Sequence, residues 1–389
     1  MTDKLYFLQP HLSRFECRVL SCTETTDGLF EIVTDRTAFF PEGGGQSSDE
    51  GYFIYGGQKL ILQGLFERGD DVIHLCTEPL PEGAALTGVL DYKLRFSKMQ
   101  NHSGEHILSG IAHKLYGCNN VGFHMGHDEI TLDFDIELTK EQVDNLEVLA
   151  NEAVYKNVPF TTLFPSEDEL KSLDYRSKKE LTGRVRLVSV GGYDLCACCA
   201  PHVELSGEIG IIKILGFIRY KGGVRLSILC GSDALSHYRR SLESIKSISA
   251  LLSAKQHEIL PAVERLSSEL ASANAEVASI KNAYARLMIS SLRETKGNIV
   301  IFDDILDGAA RRALANGGAS LCTGICAVFS HGKDTFNYVM ASEHCDLRAL
   351  SKEINGALCG RGGGSPSMIS GSVGVKEDDI KKYFNSKEF

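Results

Sequence analysis

The chain has 389 residues, of which 43% are hydrophobic and 24% charged, and these proportions are typical of a soluble globular protein rather than a disordered or fibrous one. This length predicts two to four compact units. The formal net charge of −10 argues against a protein that coats DNA, although a local basic patch on an acidic protein can still bind nucleic acid.

The apolar pattern of the chain and its cysteine content predict the cellular compartment. The first residues, MTDKLYFLQPHLSRFE, have no sustained apolar core of the kind that a signal peptide needs. No apolar run approaches the roughly 20 residues that cross a bilayer. We therefore expect a cytoplasmic protein whose 12 cysteines stay reduced and serve as core residues or metal ligands.

The first two segments, 1–90 and 91–236, differ in their predicted elements. Segment 1–90 contains short runs such as FECRVLSC, LFEIVTD and DVIHLC between Gly, Asp and Pro residues, and this predicts a small β-rich, barrel-like domain. Segment 91–236 mixes strands with helices. HILSGIAHKLYG has helical spacing, and TKEQVDNLEVLANEAVYKN predicts an amphipathic helix with Thr139 as its N-cap.

The last two segments are 237–295 and 296–389. In the first, apolar residues alternate spacings of four and three from Ile259 to Leu287, which predicts a coiled-coil arm of about four heptads. The helix that packs against this arm is either a preceding helix of the same chain, beginning at His237, or the same arm of a second chain. Segment 296–389 contains the runs GNIVIFDDI, GAARRALAN and ICAVFSH, which are typical of an α/β unit. It ends in the glycine-rich stretch LCGRGGGSPSMISGS. The fold class predicted for the whole chain is α+β.

Two pairs of metal-ligating residue types lie about 90 positions apart. His102 and His106 in NHSGEHILSG share one face of a helix, with side chains about 6 Å apart. In DLCACCAPHV, Cys198 and His202 form a Cys-x3-His pair, with Cys196 and Cys199 as neighbouring alternatives to Cys198. Together the two pairs predict a composite zinc site, because these are the donor types that zinc prefers.

The stretch HSGEH also matches His-x-x-Glu-His, the inverted zinc-peptidase motif, in which Glu105 is the general base. That interpretation leaves Cys198 and His202 without a role, and a thiolate ligand is unusual in such enzymes. Glu105 is otherwise a residue that supports the ligands or faces solvent. All three roles stay open from the residues alone.

Four motifs in order resemble the editing half and C-terminal domain of alanyl-tRNA synthetases and their freestanding relatives, the AlaX proteins. FFPEGGGQSSDEG is similar to the family's glycine-rich signature, with Gly44, Gly45, Gln46, Asp49 and Gly51 in register. The two ligand pairs follow, and then KGGVRLSILCG. The terminal GRGGGSPSMISG is similar to the glycine-rich part of the DHH-associated domain.

The resemblance implies roles for individual residues. The implied metal ligands are His102, His106, Cys198 and His202. Gln46, in the family's glycine-rich signature, is a candidate catalytic residue, and Glu105 is a second candidate because its carboxylate lies next to the ligand His106 in the sequence. Substrate contacts are implied for Gly44, Gly45, Arg225, Arg361, Gly362 and Gly363. Pro201 stands where the family has threonine, and Cys199-Ala200 replaces Gly-Gly or Cys-Gly, so the selectivity of the pocket does not follow from the family.

The function implied is a long-form, freestanding deacylase that hydrolyses the ester of tRNA(Ala) mischarged with serine, or with glycine. A separate hydrolytic step improves the accuracy of aminoacylation, because small differences between amino-acid side chains give a synthetase only about 1–3 kcal/mol of discrimination in binding. The resemblance also makes the C-terminal half a candidate for tRNA binding or for homodimer formation. The alternatives are a zinc peptidase that uses Glu105 and a tRNA-binding protein whose zinc only stabilises the fold.

Overall fold

A computed structural model describes residues 1–126, 129–177, 185–387 and 389. The chain folds into two compact units, Met1–Ile245 and Lys246–Phe389. Both contain helices and sheets, as the predicted mixed α and β fold class requires. No helix of the described ranges combines the length and apolar composition needed to span a membrane.

The first unit begins with a seven-stranded antiparallel sheet in the order β6-β5-β9-β2-β3-β8-β7. Side chains from all seven strands, among them Phe15, Ile32 and Phe53, share one apolar core, so the sheet curls around it. A short parallel pair, β1 and β4, lies beside it. The strands are β1 (Asp3–Lys4), β2 (Arg14–Glu24), β3 (Phe30–Thr34), β4 (Arg36–Thr37), β5 (Gly51–Tyr55), β6 (Gln58–Ile61), β7 (Gly64–Arg68), β8 (Asp71–Cys76) and β9 (Ala85–Leu90).

The rest of the first unit is α+β, with two long helices packed on a four-stranded antiparallel sheet, β10-β11-β16-β15. A second sheet, β12-β13-β14, leads into the cysteine-rich loop, which begins at Cys198 directly after β14. The elements are α1 (Tyr92–Tyr116), β10 (Asn120–Met125), β11 (Ile130–Phe134), α2 (Lys140–Tyr155), β12 (Phe160–Leu163), α3 (Glu167–Ser172), β13 (Leu187–Val190), β14 (Asp194–Ala197), β15 (Ile212–Tyr220) and β16 (Gly223–Cys230). Helix α4 (Gly231–Leu252) follows.

Two helices of this unit show how local sequence sets their ends. Thr139 caps α2 as predicted, in a capping box with Gln142. Helix α1 begins earlier than its apolar spacing indicates, because the side chain of Asp91 accepts the Leu94 N–H as the N-cap. His102 and His106 therefore lie in the middle of α1 rather than at its start, where both are buried.

The second unit contains the long helix predicted from the heptad spacing and a five-stranded sheet, β17-β18-β19-β21-β20. Alternate residues of β18 and β19 pack against α6 on one face and against α7 and α8 on the other. The elements are α5 (Ile259–Ser291), β17 (Ile299–Phe302), α6 (Gly308–Ala319), β18 (Cys326–His331), β19 (Phe336–Ala341), α7 (Leu347–Ala357), β20 (Gly360–Gly364), β21 (Met368–Val373) and α8 (Glu377–Ser386).

Candidate metal centre and editing site

Helix α1 presents His102 and His106 on one face, one helical turn apart, with 5.5 Å between their ring centroids. The loop after β14 brings His202 against both, at centroid distances of 4.8 Å from His102 and 4.5 Å from His106. All three histidines are buried. Residues separated by about a hundred positions therefore meet in one protected cluster.

The fourth member of the cluster is Cys198. Its Sγ lies 3.3 Å from Nε2 of His202 and 3.6 Å from Nε2 of His102, and the four potential ligand atoms all lie within 4.8 Å of one another. Of the neighbouring cysteines, Cys196 is buried on β14 and Cys199 is exposed. Burial raises the pKa of the Cys198 thiol, and the electrostatic interaction with the adjacent Cys199 thiol raises it further.

Each histidine of the cluster has its Nδ1 engaged on the side away from Cys198. Nδ1 of His102 is 2.9 Å from Oε1 of Gln46, Nδ1 of His106 is 2.9 Å from Oδ2 of Asp194, and Nδ1 of His202 is 3.2 Å from Oγ of Ser103. The amide oxygen of Gln46 and the carboxylate of Asp194 can only accept, so they favour the tautomer of His102 and of His106 that is protonated at Nδ1, which makes Nε2 the available donor for a metal. The Ser103 hydroxyl can accept from Nδ1 of His202 in the same way.

Asp194 is held by Arg176 as well as by His106. The Arg176 guanidinium is bidentate, with Nε at 2.7 Å from Oδ1 and Nη2 at 2.7 Å from Oδ2. Burial raises the pKa of the Asp194 carboxyl, but hydrogen bonds from His106 and Arg176 outweigh it and hold that pKa below its ordinary value.

The glycine-rich loop lies directly against the cluster. A Cβ added to Gly44 would stand 3.6 Å from Cε1 of His102, and one added to Gly45 would clash with the carbonyl oxygen of Phe123 at 2.3 Å. Both glycines have positive φ, 62° and 85°. Gln46 is buried, and its Nε2 has no hydrogen-bond partner although its Oε1 accepts from His102. The loop thus brings an unsatisfied amide donor to the cluster.

Glu105 is buried beside the ligands rather than exposed to solvent. Its Oε1 accepts hydrogen bonds from Oγ of Ser109, at 2.6 Å, and from the amide of Asn120. Its Oε2 lies 3.9 Å from Nε2 of His106. This position is close enough to the ligand atoms for a role in proton transfer or in supporting His106.

Arg225, a predicted substrate contact, is engaged by a carboxylate and an aromatic ring. In the described ranges its guanidinium contacts Asp133, at 2.6 Å and 2.7 Å, and the ring of Tyr220, at 3.8 Å from its centroid. These partners lie on β11 and at the end of β15.

Arg361, Gly362 and Gly363 form part of β20, so the glycine run is a strand at the edge of a sheet rather than a flexible turn. A Cβ at Gly362 would lie 2.3 Å from the hydroxyl of Tyr338, which explains the glycine there by packing. Arg361 lines a cavity of about 230 Å³ whose other lining residues are Thr335, Cys359, Gly360, Ser372, Val373 and Gly374.

No sequence motif identified the residues that fix the positions of the candidate metal-ligating side chains and of the loop that carries them. Asp194 and Arg176 have no motif of their own, and neither do Ser103, Asn120 and Arg186. Arg186 is buried and donates from Nη1 to the carbonyl oxygens of Cys198, at 2.9 Å, and Ala200, at 2.8 Å. Two features of the sequence could have indicated them. Asp194 is a carboxylate four residues before Cys198, and Arg186 is a charged residue within the otherwise apolar run VRLVSV.

Similarity to known proteins covers the candidate metal centre and most of the chain. Residues 185–231 match the family described as the threonyl and alanyl tRNA synthetase second additional domain. The alanyl-tRNA editing protein AlaX-L of Pyrococcus horikoshii is 25% identical over 98% of this chain and 96% of its own length. The alanyl-tRNA editing protein Aarsd1-B of Xenopus laevis is 31% identical over 61% of this chain and 58% of its own.

Two further comparisons involve synthetases. The alanine–tRNA ligase of Thermofilum pendens is 27% identical over 96% of this chain, which spans 42% of the ligase. The C-Ala domain from Aquifex aeolicus alanyl-tRNA synthetase aligns with 23% of the chain at 17% identity and a TM-score of 0.20, a likeness too low to establish a shared fold. From its glycine-rich loop to its C-terminal unit, this chain resembles the freestanding alanyl-tRNA editing proteins and part of the alanyl-tRNA synthetases.

Proposed function

We propose that the protein is a trans-editing deacylase that hydrolyses the ester between a wrong amino acid and the 3′ end of tRNA(Ala). The observation that carries the proposal is the cluster of His102, His106, Cys198 and His202 beside the unsatisfied amide of Gln46. The similarity to a named alanyl-tRNA editing protein over nearly the full length of both chains supports the same activity.

The donor set fits zinc. Zinc bonds of about 2.0–2.1 Å to nitrogen and about 2.3 Å to sulfur put tetrahedral donor atoms about 3.3–3.6 Å apart. The Cys198 distances of 3.3 Å and 3.6 Å to two histidine nitrogens agree with this spacing. His102, His106, Cys198 and His202 would hold the ion. When bound, zinc polarises an adjacent carbonyl or lowers the pKa of water.

Two side chains of this site have the chemistry to assist ester hydrolysis. Because Oε1 of Gln46 is committed to His102, its Nε2 hydrogens are available to donate to the ester carbonyl oxygen as negative charge develops there. Glu105, held by Ser109 and Asn120, is the proton acceptor for the attacking water. The new bond joins water oxygen to the carbonyl carbon, the bond to ribose oxygen breaks, and that oxygen takes a proton.

Serine is the proposed principal substrate and glycine the second. Both are confused with alanine by a synthetase because their side chains differ from it by only one small group. Correctly charged Ala-tRNA(Ala) must then be spared. The protein would act on charged tRNA in the cytoplasm, as expected from the sequence.

The C-terminal unit is proposed to bind the body of the tRNA. Arg361 has no ion-pair partner within the described ranges, and it lines a polar cavity at the exposed edge strand β20. Gly363 is exposed and has no atom near its Cβ position, so an RNA backbone can approach the main chain there. Arg225 is a further proposed contact through its cation and the adjoining Tyr220 ring.

The experiment is to incubate the purified protein with Ser-tRNA(Ala), Gly-tRNA(Ala) and Ala-tRNA(Ala), with and without a zinc chelator, and to follow ester loss. We expect hydrolysis of the mischarged species alone and its loss on chelation. His106→Ala should abolish hydrolysis, and Gln46→Ala should lower kcat by about 100-fold or more. Gln58→Ala, an exposed glutamine on β6, is the matched control.

One observation favours a second candidate function. Four protein ligands are typical of a structural zinc site, whereas catalytic sites usually keep one position for water or substrate. The candidate is a tRNA-binding protein with structural zinc. It predicts stoichiometric zinc, a melting temperature lowered by chelation, and no ester loss from any charged tRNA; that result would overturn the deacylase proposal.

A further inference from the structure

The three histidines of the metal centre differ in the chemistry of their Nδ1 partners. His102 faces an amide oxygen of Gln46, and His202 faces a hydroxyl of Ser103. Nδ1 of His106 faces an ionisable carboxylate, that of Asp194. Asp194 therefore acts on the cluster through charge as well as geometry.

Asp194 is built into the structure in a way that fixes its carboxylate. Its side chain is 1% exposed, and the Arg176 guanidinium engages both oxygens. The main chain of Arg176 is itself bound to β14: its N–H donates to the oxygen of Leu195 at 2.8 Å, and its carbonyl accepts from Ala197 at 2.9 Å. The segment that carries the cation is thus fixed against the strand that carries the anion.

This arrangement joins the parts of the chain that supply the ligands. Helix α1 carries His106, and β14 begins with Asp194 and continues directly into Cys198. A carboxylate that bridges His106 and Arg176 therefore sets the position of α1 relative to the cysteine loop. A displacement of either side would change the distance between the ligand atoms of His106 and Cys198.

A direct role for Asp194 as a ligand is disfavoured. His106, Asp194 and Cys196 also have donor atoms within 4.8 Å of one another, so these three residues could be considered as a metal site of their own. However, Oδ2 already accepts from both His106 and Arg176, and Oδ1 accepts from Arg176. A metal at these oxygens would have to displace the guanidinium.

We infer that Asp194, fixed by Arg176, is a positioning residue that orients the His106 ring and increases its strength as a metal ligand through Nε2. A carboxylate that accepts from Nδ1–H holds the ring in one tautomer and makes the other nitrogen a better donor. This inference rests on the proposed metal site, and it concerns metal affinity rather than the step at the ester.

The test measures zinc affinity without any tRNA, by competition with a chromophoric chelator. Asp194→Asn keeps the size and a hydrogen-bond acceptor but removes the charge, and we expect zinc affinity to fall about 10–100-fold. Arg176→Lys keeps the charge but loses the bidentate geometry, and we expect a smaller fall in the same direction. It also serves as the second variant if Asp194→Asn does not fold.

Asp133→Asn is the matched control, because Asp133 forms the same bidentate pair, at 2.6 Å and 2.7 Å, with Arg225, which is not a member of the cluster. Its zinc affinity should equal that of the unmodified chain. Zinc affinity within twofold of the unmodified chain in folded Asp194→Asn or in Arg176→Lys would overturn the inference. Absence of zinc binding by the unmodified chain would instead overturn the metal site on which the proposed function depends.

Discussion

At the scale of single residues, His74 shows how burial couples a titratable group to stability. It lies on β8 and is 0% exposed in the core of the seven-stranded sheet. Its Nδ1 donates to the oxygen of Ile32 at 3.1 Å, and its Nε2 accepts from the hydroxyl of Thr37 at 2.9 Å. The neutral ring therefore has both nitrogens satisfied, and burial lowers the pKa of His74 from 6.5 to about 4.

We predict that the free energy of unfolding of the first unit falls as the pH drops below 6.5. A depressed histidine pKa means that the unfolded chain binds the proton first, so the contribution of His74 is complete above pH 6.5 and is lost towards pH 4. The loss amounts to about 2 kcal/mol at pH 5. Denaturant unfolding of the unmodified chain and of His74→Gln at pH 7, 6 and 5 measures it.

The difference between these two pH profiles isolates His74 from the carboxylates that titrate in the same range. His74→Gln should be less stable at pH 7 but should show a shallower loss on acidification. His124→Gln, at an exposed position of the first unit, is the control and should follow the unmodified profile. Parallel profiles for the unmodified chain and His74→Gln would contradict the prediction.

At the scale of elements, the glycine-rich loop is fixed to α1 by a buried ion pair. Arg95 is 0% exposed, and its Nε lies 2.9 Å from Oδ1 and 3.0 Å from Oδ2 of Asp49. Lys98 adds a 2.6 Å hydrogen bond from Nζ to the oxygen of Ser48. The loop that carries Gln46 is therefore held by the first two turns of the helix that carries His102.

Asp49→Asn should destabilise the first unit by about 3–5 kcal/mol, because it leaves the Arg95 charge buried without its counterion. Glu31→Gln is the control. It breaks a pair with Arg68 of similar length, 2.7 Å and 2.8 Å, but the Arg68 side chain is 62% exposed. We expect a much smaller loss for that change, because solvent screens an exposed ion pair. Equal losses in the two variants, measured by denaturant unfolding, would refute the argument.

Element patterns and ligand spacing were visible in the sequence, whereas the residues that orient the ligands were not. Thr139 marks α2 because an N-cap is a local interaction, and the His-x3-His spacing brings two ligands together for the same reason. Asp194 meets His106 only through tertiary structure, so no spacing predicts it. The strand formed by the glycines of β20 could not be predicted from their sequence, because the pairing with β21 that makes them a strand is not a local property.

At the scale of the whole molecule, helix α5 leaves most of its heptad positions in solvent. Leu266, Leu270, Val277 and Ile280 are 54%, 60%, 49% and 60% exposed within the described chain. The C-terminal end of the same helix is packed, with Ala285 buried against α6 and its neighbours. The exposed stretch therefore has the pattern of a coiled-coil surface, and no residue that the structure describes covers it.

We therefore predict a homodimer in which the α5 helices of two chains pair along these positions. Sedimentation equilibrium at micromolar concentration should give the dimer mass for the unmodified chain. Leu270→Glu should shift it to the monomer, because a buried carboxylate has no partner at the centre of such an interface. Ser268→Glu introduces the same charge two residues away, on the opposite face of α5, and should remain dimeric. A monomer mass for the unmodified chain at all concentrations, or a dimeric Leu270→Glu, would assign the exposed positions to something other than self-association.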